Sequence, residues 1–578
     1  SKALLDTIYG YESGWGYTFN SAGNKIDSLD FGIDHQLNNQ YKQEIHQIQN
    51  YVTPYGIGLS LGQFGFRWVY DVTDYLPLLK DTLEISAGNQ QELIDLKFLF
   101  IHGTPPRDVL DFKTIWRGDY GHANIANDIS MPPVDVPLFP NASNFKVKTR
   151  TTGHWFGGFQ NCAEFCPKYH HLKVNGTKQF EWLNWKECSD NPVMAQGGTW
   201  LYDRAGWCPG TFGTTYDHEI TPFISSGDTS VNIDYGMEVT SGGMEGNYRT
   251  TVQLVSYGDH NFQNDAGITD VLAPNDWEFH TRINPICDQP RILLKNNGEQ
   301  DLLSAQIDYW VCGGTHETLS WTGQLEFDQE IEIELPISSQ SFWDYAQFCK
   351  DFHIEIMQVN GTADECLENN YYHTTFDVPP VYPEGIVLWT RTNLAANETK
   401  LYIRDVDGNI VFSKTNFQSN TLHKDTVNLT TGCYQLELDD TGEDGLDFFA
   451  NNDGSGFFQI RKTTGAPLAG FESDFGKNII HYFTVGYGLS IEENRSMFDF
   501  KCYPNPAYND LNIQTTGFVD DVHFEILDSF GKLVYQEKLN LPKLNNKNSI
   551  DISQLSNGIY FIKVFDSYHT KTQRFIHQ

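Results

Sequence analysis

No stretch of this 578-residue sequence sustains a helical period; strand-length runs of alternating apolar and polar residues, broken by Gly, Asn and Asp, recur from end to end. Asn175-Gly176, Asn297-Gly298, Asn360-Gly361, Asp407-Gly408 and Asn557-Gly558 are sites for hairpins or tight turns. Short helix candidates are few, such as Ser341 to Phe352. The pattern predicts an all-β chain of stacked sandwiches. At this length it divides into roughly three to five domains of about 100–200 residues. Proline marks the divisions: Met131-Pro132-Pro133 through Pro137, Asn284-Pro285 and Val378-Pro379-Pro380. The units are then 1–130, 138–284, 285–378, 381–490 and 491–578. The third has the size of an immunoglobulin-like sandwich.

Charge narrows the functions. Lys and Arg total 39 against 75 Asp and Glu, a net charge of −36 that repels phosphate backbones and anionic membrane surfaces. No nucleic-acid partner is expected. No run of about 18 apolar residues exists, so membrane insertion is not expected either. The start at Ser1, without Met, basic leader or apolar h-region, reads as a processed or trimmed form. Ten cysteines lack the paired CxxC spacing of a zinc site. An even number in an acidic chain rich in Asn, Gly and Thr favours disulfides and an oxidising compartment.

The second unit carries the sharpest chemistry, in Asn161-Cys162-Ala163-Glu164-Phe165-Cys166 and Asp203-Arg204-Ala205-Gly206-Trp207-Cys208-Pro209-Gly210. Were Cys162 to pair with Cys166, the ring would enclose three residues with Glu164 at its tip. Loop-closure entropy is small for so short a loop, so the use of such a bridge is positional. Arg204 is a candidate partner for that carboxylate. Trp207 and Trp155 are candidates for stacking walls beside it. The plain alternative is a solvated turn glutamate and a surface ion pair.

With Thr151-Thr152-Gly153-His154-Trp155 and Cys188-Ser189-Asp190-Asn191-Pro192 added, these segments resemble bacterial peptide-N-glycosidase F over residues 1–280. The resemblance implies two adjacent eight-stranded jelly rolls and hydrolysis of the amide joining asparagine to the innermost N-acetylglucosamine of N-glycoproteins. It implies Cys162–Cys166 and Cys188–Cys208 bridges, active-site roles for Glu164 and Arg204, and no cofactor for catalysis. Tyr51-Val52-Thr53-Pro54-Tyr55 resembles the family's first jelly roll, and counting back from it puts the principal catalytic aspartate at Asp30. The sequence departs at Leu29-Asp30-Phe31, where the family has Trp-Asp-Arg, and at Gly88, near which its second glutamate aligns.

Amide hydrolysis needs an activated water and stabilisation of charge on the carbonyl oxygen. Asp30 is expected to orient or deprotonate the water, and Trp155, Trp200 and Trp207 are candidates for sugar stacking. Glu164 is expected to reach the first sugar or the leaving nitrogen through water, and Arg204 to polarise the carbonyl or hold Glu164 ionised. The alternative is a catalytically weakened relative that binds glycan or protein at the cell surface.

In the fourth unit, Asp440, Glu443, Asp444, Asp447 and Asp453 are clustered with glycines in the manner of a structural Ca²⁺ site, against the plain reading of a solvated acidic turn. At the C-terminus, Tyr503-Pro504-Asn505-Pro506, Ile526-Leu527-Asp528-Ser529-Phe530-Gly531-Lys532-Leu533-Val534 and Leu555-Ser556-Asn557-Gly558-Ile559-Tyr560-Phe561 resemble the type A sorting domain of type IX secretion in Bacteroidota. That likeness implies that residues 491–578 engage the secretion translocon or shuttle, and that the protein is secreted or held at the outer cell surface.

Overall fold

Two antiparallel four-stranded sheets face each other across a core of Val147, Leu172, Ile233, Tyr235, Val252 and Leu254 in the computed structural model. The structure describes residues 8–22, 24–37, 45–55, 65–88, 94–156, 162–193, 195–239, 246–487, 499–516, 522–528, 531–539, 548–565 and 570–578. An initial hairpin joins β1 (Ile8–Phe19) to β2 (Lys25–Leu37). The jelly roll follows, built from β3 (Arg107–Gly121), β4 (Val134–Pro137), β5 (Asn144–His154), β6 (Tyr169–Val174), β7 (Thr177–Leu183), β8 (Thr215–Glu219), β9 (Ser230–Met237) and β10 (Asn247–His260). Its sheet orders are β3-β10-β5-β8 and β4-β9-β6-β7. Asn175-Gly176 forms the two-residue turn between β6 and β7, with φ of 51° and 78°, as the dipeptide predicts.

The strand edges differ from the proline divisions. β3 lies within 1–130 yet pairs along its length with β10, so it belongs to the second unit. The proline-rich stretch after it is itself partly a strand: β4 ends in Pro137 and sits at a sheet edge, where a missing N–H costs no ladder bond. β11 (Ala266–Ala273), inside 138–284, pairs with β12 (Arg291–Asn296) and opens the third unit. Asn284-Pro285 therefore lies in a connection within one sandwich. That sandwich has sheets of three and four strands and ends at Thr375. The helix expected from Ser341 to Phe352 is a 3₁₀ run, Gln340–Gln347; Phe352 is taken by a strand that pairs on both sides.

Of the first unit, the described residues include the hairpin, and separately Ile48, Val72, Tyr75 and Leu78, which pack on the β3–β10 sheet. There Tyr75 is buried against Phe112, Val255 and Tyr257. Residues 381–485 form a sandwich of five and four strands around Leu388, Leu401, Leu436 and Phe458. The described residues between 499 and 577 form another, of three and four strands, around Leu511, Phe524 and Ile562. One core for each pair of sheets is what strands with a single buried face require. A Cys287–Cys433 bridge ties the third sandwich to the fourth, and Cys312–Cys349 closes a loop within the third.

Candidate active site

The Cys162–Cys166 and Cys188–Cys208 bridges are both formed. The small ring sits beyond the end of β5, and its backbone is held from two sides and closed by a turn bond of its own. Glu164 N donates to Trp155 O at 3.2 Å, Phe165 N to Cys162 O at 2.8 Å, and Ala205 N to Glu164 O at 2.9 Å. The approach is close enough to demand glycine. A Cβ on Gly153 would lie 2.0 Å from the Ala163 carbonyl oxygen, and one on Gly206 would lie 2.2 Å from that of Thr151. Sequence thus dictates that β5, the ring and the 203–208 segment can stack tightly.

Arg204 is 1% exposed and joins the second stretch to Lys186 through an antiparallel bridge. Its Nε donates to Glu164 Oε1 at 3.1 Å. Nη1 donates to the carbonyls of Trp200 and Tyr202, and Nη2 to Thr199 O at 2.7 Å and Thr199 Oγ1 at 3.3 Å. All five guanidinium donors are thereby committed within the protein. The Trp207 ring covers the guanidinium at 4.8 Å and Phe165 at 5.1 Å. Glu164 is mostly buried, which raises its pKa; the bond and charge of Arg204 pull the other way without cancelling the shift.

The predicted residues divide. Glu164 and Arg204 are together. Trp155 is 58% exposed beside the ring, available to a ligand. Trp200 and Trp207 are 0% and 5% exposed, which corrects their assignment to sugar stacking: Trp200 Nε1 donates to Asp474 O and Trp207 Nε1 to Gly153 O. Large indoles with a paired N–H are good core residues, and sequence alone does not distinguish them from stacking platforms. Asp30 pairs with Trp15 in the hairpin, and its side chain lies outside the described ones. Gly88 is exposed and bears no carboxylate.

One residue was missed. Tyr55, in the segment Tyr51–Tyr55, crosses from the first unit to the pair, with the Arg204 guanidinium 5.7 Å from its ring. Burial raises its pKa, and it feels the charges of both Arg204 and Glu164. Val52 N bonds Thr211 O and Gly210 N bonds Val52 O, which lays this segment along the second stretch. The signal was its place in a motif already singled out.

The acidic cluster is also rearranged. Asp440 and Asp444 converge with Glu398, ligand atoms within 4.8 Å of one another. Glu398 was not among the predicted residues. Glu443 turns away to accept from Ser189 Oγ at 3.0 Å, and Asp447 is exposed. Asp440 accepts backbone N–H bonds from Gly442, Asp444 and Gly445, and burial pushes its pKa up to about 7. A loop-capping role therefore competes with cation binding for its lone pairs.

Fold and site together define an all-β protein with a disulfide-fixed carboxylate on a buried guanidinium. Residues 123–257 match the model described as peptide-N-glycosidase F, C terminal, and residues 501–578 that of the secretion system C-terminal sorting domain. The peptide-N(4)-(N-acetyl-beta-D-glucosaminyl)asparagine amidase F of Elizabethkingia miricola is 29% identical over 217 residues, 33% of this chain. The chain spans 58% of that relative's length. A crystal structure of a peptide-N(4)-(N-acetyl-beta-D-glucosaminyl)asparagine amidase aligns at 20% identity and a TM-score of 0.28, over 43% of this chain and 78% of that one. PNGase F from Flavobacterium meningosepticum, described as a glycosylasparaginase, aligns at 19% and 0.28 over the same shares. The two family-model matches and the curated relative agree with the two resemblances drawn from sequence. The sorting domain marks the chain for export, secreted or displayed at the cell surface. Among the described residues, no helix is long and apolar enough to cross a membrane.

Proposed function

We propose that this chain is a secreted amidase that hydrolyses the bond between asparagine and the innermost N-acetylglucosamine of N-glycoproteins. The observation that carries the reading is the Glu164–Arg204 pair, held at 3.1 Å by a three-residue disulfide ring within the segment that matches peptide-N-glycosidase F. Arg204 takes Oε1 of Glu164, and among the described residues no hydrogen bond goes to Oε2, which is left to a sugar hydroxyl or a water on the leaving nitrogen. With its donors committed, Arg204 serves to hold Glu164 in place and ionised, and the polarisation of the scissile carbonyl falls to other groups. Tyr55 brings a hydroxyl to the same seam. Asp30 activates the water, and Trp155 offers a ring face to the first sugar.

A second reading, a weakened relative that binds glycan or protein at the surface, is favoured by Gly88, which has no carboxylate to give. Incubation with a denatured N-glycoprotein decides between them. Asparagine converted to aspartate, read as a mass gain on the peptide, supports the amidase. Retention of the glycoprotein without conversion at high protein concentration supports the second.

A further inference from the structure

The turn that supplies Arg204 with its acceptors, Thr199 to Asp203, is packed from outside its own jelly roll. Trp200 and Leu201 are 0% and 5% exposed in a small core closed by Phe448 of the fourth sandwich, with Tyr55 of the first unit against it. The Tyr202 and Phe448 rings meet edge to face at 5.3 Å, and Trp200 Nε1 donates to Asp474 O at 3.2 Å. Polar contacts fix the same junction. Ser189 Oγ donates to Glu443 Oε2, and Lys477 N to Ser189 O. Arg282 bridges the two units, donating to the carbonyls of Ser189 and Asn191 on one side and of Phe475 and Asn478 on the other. Gly476 allows the contact, because a Cβ there would lie 2.7 Å from Ser189 O.

We propose that the fourth sandwich completes the amidase site, with Phe448 the positioning residue that holds the Thr199–Asp203 turn and through it Arg204 and Glu164. The chain of contacts is continuous. Phe448 packs on Trp200, Leu201 and Tyr202; the carbonyls of Thr199, Trp200 and Tyr202 orient the guanidinium; the guanidinium orients the carboxylate. Irregular backbone whose apolar side chains bury against a neighbouring unit opens locally when that burial is removed. A catalytic group displaced by a fraction of an ångström loses rate before it loses substrate affinity.

The catalytic part of this proposal rests on the amidase reading, so the test has an arm that does not. Full-length Phe448→Ala and Phe448→Leu are compared with the unsubstituted protein by hydrogen exchange. The amides of interest are Tyr202, Arg204 and Ala205, which bond Thr199 O, Lys186 O and Glu164 O. Phe448→Ala is expected to speed their exchange about tenfold or more and Phe448→Leu about threefold, with β5 and β10 amides unchanged. The milder variant decides if the alanine variant does not fold. In the second arm, kcat on a denatured N-glycoprotein falls about tenfold in Phe448→Ala with KM within about twofold. The acid limb of its pH profile moves up as Glu164 loses the hold of Arg204. Unchanged exchange at the turn, or an equal rise in β10, overturns the positioning role. An unsubstituted chain without amidase activity removes the amidase reading alone, and exchange still decides whether Phe448 holds the turn.

Discussion

Replacing Cys162 and Cys166 together by serine separates stability from positioning, because the structure assigns the ring mostly the second. Its cysteines are 4 residues apart in sequence, and on the chain-entropy model a loop that short contributes about 2 kcal/mol. Two backbone bonds, from Glu164 N to Trp155 O and from Ala205 N to Glu164 O, still tether the segment once the bridge is gone, and Phe165 N to Cys162 O still closes its turn. The double variant should therefore fold, with its jelly roll weakened by no more than that amount in calorimetry. Glu164, however, loses the constraint on its direction, and a misplacement of about 1 Å costs on the order of 100-fold in kcat. The control is Cys312→Ser with Cys349→Ser in the third unit, separated by 37 residues and worth about 4 kcal/mol on the same model. It should cost more stability and leave kcat unchanged. Both are assayed by conversion of asparagine to aspartate in a denatured N-glycoprotein. A folded Cys162/Cys166 variant that keeps kcat within about twofold refutes the positional argument.

Arg204→Lys removes the fork that spans one carboxylate and the carbonyls of three residues. Arg204 lowers the Glu164 pKa, so its loss raises that pKa and shifts the acid limb of kcat/KM to higher pH; an unmoved limb contradicts the pairing. Trp155→Ala should raise KM several-fold with kcat nearly unchanged, while Trp200→Ala should destabilise the junction by about 3–5 kcal/mol, read by denaturant titration. Asp440, raised by burial to about 7 from an ordinary value near 3.8, is penalised when ionised. The fourth sandwich should thus lose stability as pH rises from about 4 to about 7 and change little above, seen in melts with chelator present. Added Ca²⁺ that raises the midpoint at pH 8 supports the calcium expectation, and an unchanged midpoint removes it. Deleting residues 499–578 should keep the protein from leaving the producing cell, measured by its partition between cells and medium.

The all-β class and the chemistry of the ring were legible from local pattern alone. Alternation with a period of two, Asn175-Gly176 at its hairpin and the spacing of Cys162, Glu164 and Cys166 are properties of neighbouring residues, and physics acts on them without reference to the rest of the chain. What only the tertiary structure decided is what distant segments do to one another. Sheet pairing gave β3 to the second unit, and burial at a junction made Trp200 a packing residue instead of a platform. Glu443 turned to Ser189 while Glu398 joined Asp440, and Tyr55 came across the seam to the guanidinium. A side chain's type states what it can do; whether it faces solvent, a neighbour or a ligand depends on surfaces contributed by residues hundreds of positions away, and no local pattern encodes those.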